Sequence, residues 1–375
     1  MRLHRALALS QAGEGRKSEL PVEFRGSSRE YFRIWAVNLC LTLLTLGIFS
    51  AWAKVRKKRY FYSHTVIDGT PFQYLGQPVP ILRGRLIAAV LFGVYYASSH
   101  FFSSLLPYVL AVGGVLAPWV IVRSAAFNAR YSAFRNMTFR FGGTYPDAFK
   151  VIYAWGLVPA LLVGTIFEWW GDYKIAAPLF LLFGLSFPWW LRRLKNFIVG
   201  NTYYGERRGL FSATGGQFFK IYFLAGLIIV GAAFAGGLLM FALFGFIKKG
   251  QYGFLFAALP VYAGYVLAYA YVKANIGNLV WNRTRLGPLR FRSTLRGWEL
   301  AGLYLTNALA LIASLGLLTP WAVVRTLKYR ADNMRVLVED DLTKFRGSGD
   351  TLAATLAIKA TGAELGEFFE VDLSI

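Results

Sequence analysis

The 375-residue chain holds one cysteine, three histidines and only 19 aspartates and glutamates. The single thiol, Cys40, rules out a disulfide within the chain and any metal site built on paired cysteines. His4, His64 and His100 are scattered, and neither interior histidine has an acidic or thiol neighbour in sequence. The interior carboxylates (Glu30, Asp68, Asp147, Glu168, Asp172, Glu206, Glu299) offer no evident acid–base couple. A phosphate-cradling glycine loop is missing as well. The glycine pairs at 113–114, 142–143, 215–216 and 236–237 suit helix packing or turns. These absences argue against an enzyme and leave no catalytic, cofactor-binding or metal residues to name.

Charge is also scarce at 16%, against 56% hydrophobic and 17% aromatic residues. No Asp, Glu, Lys or Arg occurs in 34–51, 86–122, 151–167, 175–191, 221–247, 252–272 or 300–324. Apolar stretches of about 18 residues or more read as membrane spans. Hydropathy alone divides the chain into eight helices, near 31–53, 84–102, 104–122, 149–168, 175–193, 219–246, 253–274 and 298–323.

The net charge of +22 does not point to nucleic acid, because the cations crowd the ends of the apolar blocks. More than half of the 41 lysines and arginines fall in four loops, 54–85, 123–150, 192–220 and 273–296. By the positive-inside rule these loops are cytoplasmic. An aromatic followed four residues later by a cation recurs at the block ends. The pairs are Trp52 with Arg56, Trp119 with Arg123, Trp189 with Arg193, Trp321 with Arg325, and Tyr269 with Lys273. One helical turn puts both on one face, the pattern of an interface anchor that meets anionic headgroups.

The blocks are punctuated by short alternating segments with turn signals. Examples are Asp68-Gly69 before Phe72, Gly205 before Phe211 and Gly287-Pro288 before Phe291. They predict a repeat of helical hairpin and β-hairpin. Five units would occupy about 21–72, 73–139, 140–211, 212–291 and 292–347, together a membrane domain over 21–347. Residues 1–20 read as a disordered tail and 348–375 as an acidic C-terminal tail. The first and last units match most closely. At a constant offset, Glu30, Asn38, Leu46, Gly47, Trp52, Ala53, Val55, Arg56 and Tyr60 meet Glu299, Asn307, Leu315, Gly316, Trp321, Ala322, Val324, Arg325 and Tyr329.

Two rules then disagree on topology. Eight full spans place both termini opposite the basic loops. The repeat favours six spans plus two re-entrant pairs, bent near Gly47 and Gly316, with both termini cytoplasmic. The expected fold is an all-α polytopic membrane protein with internal repeats of helical hairpins. Short cytoplasmic β-hairpins would form a small sheet.

Phe24-Arg25-Gly26, Leu46-Gly47, the run Ser50 to Arg56, Arg59 to Tyr62, and Asp68-Gly69 with Phe72 resemble the YjgN-like bacterial inner-membrane proteins, a domain of unknown function. The resemblance runs from about residue 20 to the acidic end at Gly366 to Asp372. It implies a multi-pass inner-membrane protein, and brings no catalytic or binding residues with it.

Asn38 and Asn307 sit at matched depth in their apolar blocks and form the one candidate membrane-embedded polar site. Lining a passage, they would suit a channel or carrier for a small solute or lipid. Bonded across helices, they would suit a non-transporting scaffold or anionic-lipid organiser. The lipid bilayer is the expected partner, and nucleic acid is not.

Overall fold

The computed structural model describes residues 18–338 apart from 136, 158–172, 244–252 and 288. Its strands are β1 Ser18–Phe24, β2 Thr65–Ile67, β3 Thr70–Pro71, β4 Gln73–Tyr74, β5 Ser132–Phe134, β6 Met137–Phe141, β7 Thr202–Tyr204, β8 Arg207–Phe211, β9 Thr284–Leu286, β10 Leu289–Ser293 and β11 Met334–Val338. Four tight turns create hairpins because each holds a residue in the left-handed region. These are Asp68 and Gly69 (φ 51° and 70°), Arg135 (48°), Gly205 (59°) and Gly287 (60°). A fifth hairpin has no turn. β1 and β11, from opposite ends of the described chain, pair antiparallel from Ser18↔Val338 to Pro21↔Arg335.

All eleven strands belong to one sheet, in the order β3-β2-β1-β11-β10-β9-β8-β7-β6-β5-β4. Its two edges, β3 and β4, are separated in the chain by Phe72 alone, so the sheet closes almost completely on itself. Closure comes from stagger. β1 gives residues 18–21 to β11 and 22–24 to β2. β6 gives 137–138 to β5 and 139–141 to β7, and β8 gives 207–208 to β7 and 209–211 to β9. This corrects the expectation of an all-α protein with a small sheet. A nearly closed, eleven-stranded antiparallel barrel is a principal element of the fold.

The interior of the barrel is apolar. Ile67, Phe134, Tyr204, Leu286 and Val336, each the third residue of its strand, form one buried cluster with Val338. Their cross-strand neighbours fill the gaps. Val22 lies opposite Ile67, Phe139 opposite Tyr204 and Phe291 opposite Val336, while the Phe72 and Phe134 rings lie 4.7 Å apart. Leu286 faces Gly209, where a Cβ would run into the Val199 carbonyl. The Tyr204 hydroxyl donates to the Phe134 carbonyl at 3.0 Å, so the one polar group in the cluster is satisfied. Outside, arginines face one another across strands, Arg285 with Arg290 and Arg292 with Arg335.

Helices α1 Ser28–Leu44, α2 Ser50–His64, α3 Pro78–His100, α4 Leu106–Tyr131, α5 Tyr145–Phe149 (continued by a π-helical stretch Lys150–Leu157), α6 Tyr173–Gly200, α7 Gly215–Leu243, α8 Gly253–Asn282, α9 Gly297–Ala313 and α10 Thr319–Asp332 run between the β-hairpins. Helix returns to strand through a hydroxyl that bonds back one turn. Thr65 donates to Phe61 O, Ser132 to Asn128 O, Thr202 to Ile198 O and Thr284 to Val280 O. Strand leaves for helix through an aromatic folded over a glycine. A Cβ on Gly26, Gly76 or Gly143 would enter the ring of Phe24, Tyr74 or Phe141. Gly26→Val is therefore expected to destabilise by about 1–3 kcal/mol, the usual cost of overpacking. A thermal melt in detergent checks this, and an unchanged midpoint would show the ring free to move aside.

The hydropathy count also needs correction. Neither 31–53 nor 298–323 is one helix. The first breaks between α1 and α2, the second between α9 and α10. In both, the chain turns back at a left-handed Leu-Gly pair, Leu46-Gly47 (φ 49° and 92°) or Leu315-Gly316 (50° and 86°). Hydropathy averages over such a bend and cannot see it. Among the described residues, three helices are long and apolar enough to cross a membrane: Pro78–His100, Ser103–Tyr131 and Gly215–Ala242. The block near 149–168 lies mostly outside the described residues.

Since β1 and β11 stand in the same sheet as the four turn-closed hairpins, the described ends of the chain lie on the side of the basic loops. Eight plain spans are incompatible with that. Phe345 and the acidic tail fall outside the described residues.

Candidate functional site

The two bent hairpins are built alike, and the matched residues explain why. Ser27 N–H donates to the Tyr60 hydroxyl at 2.8 Å, and that hydroxyl lies 2.9 Å from Ser27 O and 3.2 Å from Glu30 Oε2. Arg296 N–H donates to the Tyr329 hydroxyl at 3.0 Å, which reaches Glu299 Oε2 at 3.0 Å. Each tyrosine, near the end of the returning helix, thus caps the start of the outgoing one and locks the hairpin base. Burial first, and the glutamate second, push both phenols above their ordinary value. The folded state then keeps protons that the unfolded chain loses above about pH 10. This stabilisation is complete below pH 10 and disappears as pH rises through the folded values. Tyr60→Phe with Tyr329→Phe is expected to cost about 1 kcal/mol per lost cap. It should also flatten the alkaline fall in melting temperature, and a double variant with an unaltered alkaline profile would refute the lock.

At the tips the backbone satisfies itself. Gly47 N–H bonds Thr42 O and Gly316 N–H bonds Leu311 O, both at 2.8 Å. The Thr45 and Ser314 hydroxyls accept from Phe49 N–H at 2.9 Å and Leu318 N–H at 3.1 Å. Leu46 and Leu315 stand 95% and 94% exposed at the apex. A bonded backbone under a bare leucine suits hydrocarbon and not water. The 17-residue α1 rises about 25 Å, short of a ~30 Å bilayer core.

Asn38 and Asn307 are each 7% exposed. Each reaches across its own hairpin, Asn38 Nδ2 to Ala53 O at 3.5 Å and Asn307 Nδ2 to Ala322 O at 3.3 Å. Asn307 is fully engaged. Its Nδ2 also bonds Thr326 Oγ1 at 3.1 Å, and its Oδ1 accepts from Arg325 at 3.2 Å. Arg325 donates to Thr306 Oγ1 as well, at 2.7 Å. Position 37 is valine where 306 is threonine, and Arg56 lies over the Phe49 ring (5.4 Å) instead of on Asn38. Asn38 Oδ1 is left buried without a partner.

The aromatic-and-cation spacing yields stacked pairs in three hairpins. Arg123 lies over Trp119 at 5.7 Å, Lys273 over Tyr269 at 5.6 Å and Arg325 over Trp321 at 5.1 Å. Each cation lies seven to nine residues before its helix ends at Tyr131, Asn282 or Asp332, hence about 10–14 Å from the barrel. We call these three pairs, at similar helical distances from the barrel, the collar. Two stations differ. Trp52 stacks on Phe49 (6.0 Å), which has taken Arg56, and Trp189 packs against Phe219 (5.2 Å). Arg193 follows Trp189 one turn later on α6. Between α9 and α10 lies a groove of about 620 Å³, lined by Arg325 and Lys328 together with the carboxylates of Glu299 and Asp332, beside Trp298 and Thr306. The carboxylates balance the two cations, so the groove itself is no anion site, and its exposed indole suits a membrane interface.

Sequence reading missed the tyrosine locks, although Glu30/Tyr60 and Glu299/Tyr329 were among the matched residues. The fold supplies His64 with the acidic neighbour it lacks in sequence, its Nε2 lying 3.8 Å from Glu30 Oε2. The other ring nitrogen of His64 faces Tyr60 O at 2.7 Å. Asn333, at the matched position, makes the equivalent bond to Tyr329 O at 2.9 Å, so a helix-ending role accounts for both. Among the described residues no three His, Cys, Asp or Glu side chains gather as metal ligands.

A family described as bacterial protein of unknown function (DUF898) matches residues 19–368. The chain is 30% identical over 150 residues to "Inner membrane protein YjgN" of Escherichia coli K12, covering 38% of this chain and 36% of that protein. It is 24% identical over 217 residues to the Salmonella typhimurium protein of the same name, covering 57% of this chain and 45% of the other. The matched regions thus span less than half the length of these relatives. No solved structure matches.

Proposed function

The chain belongs to the DUF898 family of bacterial proteins of unknown function, and from that premise we propose that it gathers anionic phospholipid at the inner membrane and conducts no solute. In this reading the barrel, the basic loops and both ends of the described chain are cytoplasmic. The α1/α2 and α9/α10 hairpins enter the near leaflet and return, while the longer hairpins cross. The observation that carries the reading is the collar, with Arg123, Lys273 and Arg325 each stacked on an aromatic at a similar helical distance from the barrel. Stacking fixes the cations at headgroup level without consuming their charge. The apolar barrel interior and the cross-hairpin bonds of Asn307 support the part of the reading that excludes transport.

The test uses protein in nanodiscs of phosphatidylcholine with a minor share of phosphatidylglycerol, and measures which lipid is retained on extraction. Phosphatidylglycerol is expected to be enriched around the wild type. The Arg123→Gln, Lys273→Gln, Arg325→Gln variant should lose roughly fivefold of that enrichment per charge, at ~1 kcal/mol each. No enrichment around the wild type would sink the proposal.

One observation favours a carrier instead, the orphaned acceptor Asn38 Oδ1. A solute donating a hydrogen bond there would satisfy it. On that reading Asn38→Leu abolishes solute flux into proteoliposomes, and on the lipid reading wild type and variant are equally tight.

A further inference from the structure

The facing sides of α6 and α7 carry a feature that the collar does not use. Between them lies an apolar groove of about 320 Å³, walled by Gly184 and Leu185 on one side and Phe223, Gly226, Leu227 and Val230 on the other. Helical glycines normally permit close packing, in which a Cβ would collide. Gly264 is such a case, where a Cβ would meet the Ala232 side chain. Gly184 and Gly226 are different, because a Cβ at either would meet nothing within 4 Å. Their missing side chains leave space, and the space is the groove.

The groove has a polar end. Tyr222 lines it, with its ring edge-on to Phe187 at 5.3 Å. The Tyr222 hydroxyl has no hydrogen-bond partner among the described residues. Just toward the barrel come Phe219, tilted against Trp189 at 5.2 Å, and Lys220, exposed and without an ion pair among the described residues. Arg192 sits at the same level, tied through its Nε to Ala213 O at 2.9 Å. From Phe219 to Val230 the helix rises about 16 Å, close to half of a ~30 Å bilayer core.

We propose that the α6/α7 groove binds one acyl chain of an anionic phospholipid, with the Tyr222 hydroxyl on the ester region and Lys220 on the phosphate. This rests on the lipid-gathering reading above and gives it a site. Four observations meet there: open glycines, a length close to one leaflet, a hydroxyl without a partner among the described residues and, two residues before it, a cation without an ion pair among them.

The experiment compares Gly226→Leu with Gly231→Leu in the full-length protein. Both glycines are on α7 with open space at the Cβ, and only Gly226 lines the groove, so folding is spared in each. Spin-labelled phosphatidylglycerol and phosphatidylcholine in nanodiscs report the immobilised lipid. Wild type and Gly231→Leu are expected to immobilise phosphatidylglycerol equally. Gly226→Leu should do so roughly tenfold more weakly, as when contact with about two methylenes is lost. Lys220→Gln should lower retention of phosphatidylglycerol and leave that of phosphatidylcholine unchanged. Equal retention by the two glycine variants would overturn the groove while the collar's own enrichment stood. Loss on Gly226→Leu without preference between the two lipids would overturn its anionic assignment.

Discussion

Phe134→Asp is expected to prevent accumulation of the folded protein. Phe134 belongs to the buried ring of the barrel, its side chain against Phe72 and its carbonyl accepting from the Tyr204 hydroxyl. Loss of the buried aromatic costs about 3–5 kcal/mol by itself. A carboxylate in its place is desolvated among apolar side chains, and Arg135, 5.7 Å from the present ring centroid, offsets only part of a cost of several kcal/mol more. Together these approach the whole stability of an ordinary domain, about 5–15 kcal/mol. Phe134→Leu keeps the site apolar and should cost only about 1–2 kcal/mol. Fluorescence-detected size exclusion of tagged protein separates the cases. A monodisperse Asp variant at wild-type yield would mean that the barrel interior admits water, and the sealed-barrel argument would fall with it.

The second large effect is all-or-none. In a Cys40→Ser background, single cysteines at Pro21, on β1, and at Glu206, in the β7–β8 turn, are both at exposed positions of one continuous sheet. A membrane-impermeant thiol reagent should therefore treat them identically, leaving both unlabelled in intact cells and labelling both after the inner membrane is opened. Labelling at Pro21 alone in intact cells would place β1 across the membrane from β7–β8, which one sheet forbids. Labelling of both would keep the sheet and reverse its orientation.

Much of this architecture could be read from short range signals. Asp68-Gly69, Gly205 and Gly287 all occupy left-handed turn positions because few other residues can, and so they mark hairpins in any sequence. Trp119 with Arg123 and Trp321 with Arg325 stack because one helical turn brings them together. The barrel itself was not legible. Its strands are as short as two residues, and each long strand divides its bonds between two neighbours. No pattern of alternation in one segment says which others it joins, least of all for β1 and β11 at the two ends. Asn38 and Asn307 were singled out by their depth and match. Whether they faced a passage or their own hairpin depended on where Ala53 and Ala322 came to lie, which only folding decides.

The fifth β-hairpin lacks a connecting turn, and this bears on how the molecule is made. Until the ribosome has synthesised Val338, the far partner of β1 does not exist, and both β1 and β10 present bare edges. The other four hairpins can form as they emerge. Until β11 is made, the nascent sheet is therefore an open arc. Completion is a single event that joins the first described strand to the last, and a product interrupted before residue 334 keeps an exposed seam that cellular proteases can recognise.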